Sequence, residues 1–235
     1  MSEAVVDMAD TIGANSSDIP RTFKVIGGYV TGTSEIRWDA AEWAEFPDAV
    51  HVRIEQGFGA LLNPGDYDEI DVEAGAISPQ IAAGMIAARV AAGYEWTTVY
   101  ATRSNLALVA SAVQAHGEAV WVGHVNCMLA DWNLDRAEAA ALVGTSVEGM
   151  TCVGVQWASP SSNPDSLVPG DTKTLRESNI DLSVVAEGWT PSTLAPPTPP
   201  APPVEPAETD GIVVYFVGNA PVSHAVTSTD LHTWQ

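Results

Sequence analysis

The chain has 235 residues, 46% of them hydrophobic, enough to bury one substantial core. Thirty acidic residues stand against nine basic ones, a net charge of −21, and Lys24 and Lys173 are the only lysines. Nucleic acid needs a positive face that releases counterions, so that class is excluded, and the same charge opposes tight adhesion to an anionic membrane or wall polymer.

In chain order, residues 1–22 have no basic start and no continuous apolar stretch. They are expected to be a polar leader and not a secretory signal, which implies synthesis and folding in a cytoplasm. No apolar run reaches the roughly 18–20 residues that cross a bilayer, so no membrane span is expected. Residues 23–190 form the globular region, in which the segments KVIGGYV, AVHVRIE, EIDVE, TTVYAT, AVWVGHV, CVGVQWA and IDLSVV are short and rich in valine and isoleucine. Helical segments lie between several of them. Ser78-Pro79 is an N-cap followed by proline at the first helical position, and the run it opens stops at Gly93. Ser104 or Asn105 opens a second helix that stops at Gly117, and Asn133 precedes a third that stops at Gly144.

Near-continuous apolar strands alternating with helices imply a parallel sheet covered by helices. An open doubly wound sheet would place a glycine-rich phosphate loop after its first strand. Gly27-Gly28 followed by YVTGTSE does not make GxGxxG. The expected fold is therefore α/β, a compact (β/α)8-like TIM barrel, with the eighth strand expected within residues 106–150 or 159–179. Residues 191–210, PSTLAPPTPPAPPVEPAETD, form a proline-dense linker that favours extended polyproline II. Residues 211–235 pattern as two short strands, too few to build a core, and are expected to attach the chain to a partner subunit.

A barrel of this type keeps its site where strands run into the following loops. The strand ends offer Tyr29, Arg53, Glu55, Asp71, Glu73, Tyr100, Arg103, His124, Asn126, Gln156, Trp157 and Asp181. Asp71-Val72-Glu73 stands out, because alternation puts both carboxylates on one side of the strand. Two sheltered carboxylates repel one another, so one retains a proton and can act as an acid. Glycosidic bond cleavage needs that pair, one carboxyl to protonate the leaving oxygen and one carboxylate for the sugar cation or for water. Strand-end acids can equally be solvated surface groups in so acidic a chain. The five histidines show no HExxH spacing and the two cysteines no CxxC, so no metal and no cofactor are expected, and Cys127 and Cys152 are expected to be free buried thiols.

The ordered series IDVE, TVYATR, VWVGHVN, VGVQWAS and IDLSVV resembles the strands of family 25 glycoside hydrolases, the N-acetylmuramidase lysozymes, over residues 23–189. The resemblance implies Glu73 as general acid, Asp71 and Asp181 beside it, and Tyr100, His124, Gln156 and Trp157 holding the glycan. Two departures stand against activity. The family opens its first strand with an aspartate, where IGGYVTG places Tyr29, and its wall-facing "AqY" is replaced by Gly123-His124-Val125. The segments WDAAEWAEFPDAVHVRIEQG and DVEAGAISPQ look like those of actinobacterial proteins and of structural proteins from their phages. That likeness implies a virion component, a minor tail or decoration protein. Such a protein would be made in the host cytoplasm, join an oligomeric assembly through its C-terminal tail, and meet bacterial cell-wall glycan with its barrel. The alternative is an active peptidoglycan hydrolase.

Overall fold

The structure, a computed structural model, describes residues 4–57, 63–121 and 123–192. The proline-rich linker beyond Ser192 and the expected hairpin tail lie outside the described residues. Eight strands close into a barrel: β1 (Val5–Thr11), β2 (Val25–Tyr29), β3 (Val50–Glu55), β4 (Glu69–Asp71), β5 (Thr97–Thr102), β6 (Val125–Ala130), β8 (Met150–Ala158) and β9 (Asp181–Ala186). They pair in that order around the wall, with β6 joined directly to β8 and β9 joined back to β1. A two-residue strand, β7 (Ser146–Val147), forms a hairpin on β8. Strands β1 to β6 and β8 run parallel, whereas β9 is antiparallel to both its neighbours.

The barrel agrees with the sequence expectation, but a regular (β/α)8 shell does not. Only α2 (Pro79–Ala91), α3 (Arg103–Gln114) and α5 (Arg136–Leu142) exceed five residues; α1 (Ala40–Ala44), α4 (Glu118–Trp121) and α6 (Leu175–Ser178) are one-turn pieces. The β1–β2 connection holds a single 3-10 turn (Gly13–Asp18). None of these helices is long and apolar enough to cross a membrane.

Two further corrections concern strands. Residues 1–22, expected as a leader, contain β1, which pairs with β2 on one side and β9 on the other. Strand β1 lies in neither segment where a further strand was expected, whereas β6 falls within residues 106–150. The segment AVWVGHV is not a strand. Its first half is the one-turn α4, and Gly123 at φ +72° breaks the chain before β6 begins at Val125.

Alternation divides the core in two. Met8, Val25, Val52, Ile54, Met128 and Val185 fill the barrel interior, and Ala9, Ile26, Ile70, Val99, Leu129, Val155 and Val184 face outward against the helices and loops. The pair Gly27-Gly28 serves both sides. A Cβ on Gly27 would stand 2.7 Å from Asp10 Cβ inside the barrel, and one on Gly28 would stand 2.5 Å from the Trp38 ring outside. Trp38 closes that contact by donating its indole N–H to the Thr11 carbonyl at 2.8 Å.

Helix boundaries follow local chemistry. The Ser78 hydroxyl accepts from Ile81 N with Pro79 at the first helical position, as expected for α2. A capping box of Asp135 and Glu138 starts α5, two residues later than Asn133. Helix α3 begins at Arg103 without a side-chain cap, and Asn105 Nδ2 instead donates to the Val72 carbonyl at 2.9 Å. Fully buried Arg89 ties α2 to the barrel. Its Nε donates to Thr97 Oγ1 at 3.0 Å, its Nη1 donates to the carbonyls of Pro64 and Tyr67, and its guanidinium lies 4.1 Å from the Tyr94 ring centroid. The loop entering β4, whose face bears Asp71, is held from both sides, since Arg53 clamps Asp68 with two hydrogen bonds of 2.8 Å.

Candidate active site

The inward positions at one end of the barrel converge on a cavity of ≈ 240 Å³. Its lining includes Asp10, Glu69, Asp71, Glu73 and Asp181, with Tyr29, Tyr100, Trp132 and Gln156 around them. Each acid arrives there by register. Asp10 is the last inward residue of β1, and its Cα partner on the next strand is Asp181. Because β9 runs against the other strands, its first residue lies where theirs end. Glu69, Asp71 and Glu73 share one face of β4 and its extension, and Asp71 is level with Tyr100 on β5.

Burial decides the electrostatics. Asp10 is 7% exposed, Asp71 5% and Glu69 2%, whereas Glu73 and Asp181 are half-buried. Loss of hydration raises the Asp71 carboxyl to about 8, helped by the charges of Glu73 and Asp10. Burial, with Glu73 nearby, raises Asp10 to about 7. Glu69 is pushed well above the carboxylate range by burial and then by Asp10 and Asp71. Asp181 is also raised, by burial first and then by Asp10 and Glu73, against the opposing effect of a hydrogen bond from Gln156. Burial thus favours the protonated forms of the carboxyls on the floor of the cavity. Glu69 Oε2 and Asp71 Oδ1 are buried with no hydrogen-bond partner.

Of the residues singled out from sequence, Glu73, Asp71, Asp181, Tyr100 and Gln156 meet at this cavity. His124 does not. It precedes β6, at the opposite end of the barrel, where its Nδ1 is 2.7 Å from the Glu95 carbonyl oxygen. Trp157 alternates outward from Gln156 and packs between the two outer apolar clusters. Arg53 and Glu55 serve loops. Glu55 accepts from Thr31 Oγ1 at 2.9 Å and from Gly57 N at 2.6 Å. Arg103 heads α3 with Glu148 3.8 Å away, and Asn126 lies buried in the barrel interior.

Asp10, Glu69 and Trp132 also line the cavity. Asp10 lies on β1, in the segment that the sequence pattern assigns to a polar leader, and Tyr29 is the inward residue of β2. The signal was present in VVDMADT, where Val6, Met8 and Asp10 alternate inward. Glu69 extends the DxE pattern by one more alternation, to Glu69-Ile70-Asp71-Val72-Glu73. Trp132 follows β6 and takes the rim position that the misplaced strand had given to His124. Among the described residues no group of three or more His, Cys, Asp or Glu is arranged to hold a metal ion. Cys127 and Cys152 are free, buried and opposite one another on β6 and β8.

Comparison with family models, with curated proteins and with solved structures finds no match to this chain.

Proposed function

We propose that the barrel is a glycoside hydrolase acting on a cell-wall glycan, and the observation that carries this reading is Asp10. Asp10 is opposite Asp181 and shares a cavity with Asp71 and Glu73, which supports a set of carboxyls that includes one from the first strand.

The chemistry follows from the layering. Glu73 is less buried than Asp71 or Asp10 and lines the same cavity, which suits it to meet a leaving oxygen. It gives its proton to that oxygen as the bond to the anomeric carbon breaks and the electron pair leaves with the oxygen. The positive charge that develops on the sugar faces Asp71, Asp10 and Asp181, whose ionised forms it favours. Water then adds to the anomeric carbon and its proton returns to the carboxyl set. Tyr100, Tyr29 and Trp132 offer ring faces to the sugar, and Gln156 orients Asp181.

Glu73→Gln keeps the shape of the side chain and removes the transferable proton. Turnover of peptidoglycan fragments should fall by roughly 10²–10⁴-fold with the melting temperature close to unchanged. Equal turnover in both proteins would remove Glu73 from the role of acid.

A second reading, that the chain is a phage structural component carrying this barrel to the host wall, is supported by the likeness of WDAAEWAEFPDAVHVRIEQG and by the proline-rich segment before residues 211–235. The two readings are compatible, since a particle protein can trim the wall it meets.

A further inference from the structure

Cleavage by an acid and its partner carboxylates accounts for Glu73, Asp71, Asp10 and Asp181. It leaves Glu69 without a task. This residue lies one inward step below Asp71 on β4, level with Ile54 and Thr98 on the adjacent strands. It is 2% exposed, it lines the cavity, and its Oε2 has no partner. Just above it, Asp71 Oδ1 is equally buried and equally unpartnered. Among the described residues no lysine, arginine or histidine lines the cavity, so no positive charge in its wall offsets the acids. Tyr29, Tyr100 and Trp132 are the aromatic members of the lining.

When ionised, Glu69 and Asp71 offer acceptors alone, and the group that satisfies them brings hydrogen-bond donors and a positive charge; an ammonium brings both. Ring faces add attraction for a cation that they do not offer to a neutral amide. We propose that the cavity takes a substrate bearing a free primary ammonium, an N-unsubstituted amino sugar, and that Glu69 with Asp71 selects it. The proposal rests on the glycosidase reading of the site. The raised carboxyls fit it, because an arriving cation favours their ionised forms, so binding displaces protons to the buffer.

The test is calorimetric binding by the full chain carrying Glu73→Gln, which stops turnover, at pH 6.5 in 0.15 M salt. The probes are three tetramers of one backbone: glucosamine, N-acetylglucosamine and glucose, all β-1,4-linked. The glucosamine tetramer should bind about tenfold or more tightly than the other two, the scale of one added charge-assisted hydrogen bond. Its observed enthalpy should vary with the ionisation enthalpy of the buffer, which reports proton release. Adding Glu69→Gln should erase the preference. Equal or tighter binding of the N-acetylated tetramer would overturn the proposal in favour of an amide-reading floor. Absence of binding by all three would overturn it too. So would a preference that survives Glu69→Gln and fades with added salt, which marks general attraction to an acidic protein. Turnover by the unsubstituted chain separates the two readings. Amine preference without cleavage sinks only the hydrolase, and cleavage confined to the N-acetylated tetramer sinks only the amine selection.

Discussion

Asp10 and Asp181 face one another across adjacent strands, a like-charge placement that costs stability unless a proton is retained. Asp71 bears the same cost through burial. The consequence is a pH dependence of folding. An unfolded aspartate ionises near 3.9, whereas folded Asp71 holds its proton to about 8. Between those values the folded state binds more protons than the unfolded one, so stability falls as pH rises, by up to about 1.4 kcal/mol per pH unit for one such group. Asp10, raised to about 7, acts in the same direction. Thermal melts should therefore show a lower melting temperature at pH 8 than at pH 5. Asp71→Asn should flatten that slope and melt higher than the unsubstituted chain at pH 8. A melting temperature that rises from pH 5 to pH 8 in the unsubstituted chain would mean that Asp71 ionises freely in the fold. At this scale Asp71 and Glu73 were legible because both sit on one short extended segment, β4 and the residues that follow it, where alternation alone brings them together. Glu69 is as local as they are but was passed over, since two acids already met the chemical need. Asp10 was hidden by its company. Small Ala9 and the acids of VVDMADT look like polar chain, and only pairing to β2 and β9 makes them a strand.

Among elements, β1 has the most consequence for its length. It joins β2 to β9, so its loss opens the barrel along two ladders and takes Asp10 with it. A chain beginning at residue 13 should be unfolded or aggregated by circular dichroism and gel filtration, since an open barrel exposes two strand edges. A dispensable leader would leave a cooperative fold, and that result would contradict the placement of β1. Strands β2, β3, β5 and β8 were legible from valine-rich patterning, and α2 from its cap and proline. The sixth strand was not, because AVWVGHV alternates as well as any strand in the chain. What decides against it is the left-handed Gly123, together with VNCMLA, whose six residues are all buried. A fully buried strand has no polar face to alternate, so its pattern is weaker than that of the helical turn before it.

At the scale of the molecule, the barrel is narrow and filled. Gly27 and Gly154 are small because Asp10 and Val185 come within 2.8 Å of where their Cβ atoms would be. The helices that would make the outer shell regular are mostly short, which no patterning of single segments could reveal. All eight strands of the closed barrel lie before residue 193. A chain ending at residue 192 should therefore fold with a melting temperature within a few degrees of the full chain. If residues 211–235 attach the protein to a particle, that shortened chain should also fail to co-purify with it. A full-length requirement for folding would show that the later residues belong to the barrel core.

If the acid of the first strand completes a working site, Asp10→Asn removes it at a single atom. The measurement is reducing-end release from cell-wall glycan, N-acetylated and de-N-acetylated, by the unsubstituted chain and by Asp10→Asn at matched concentration, with thermal melts run alongside. The unsubstituted chain should release reducing ends, and Asp10→Asn should lose about 10²-fold or more of that turnover in a protein that melts no lower. Equal release by the two, or none by the unsubstituted chain on either form of the glycan, would contradict that role for Asp10.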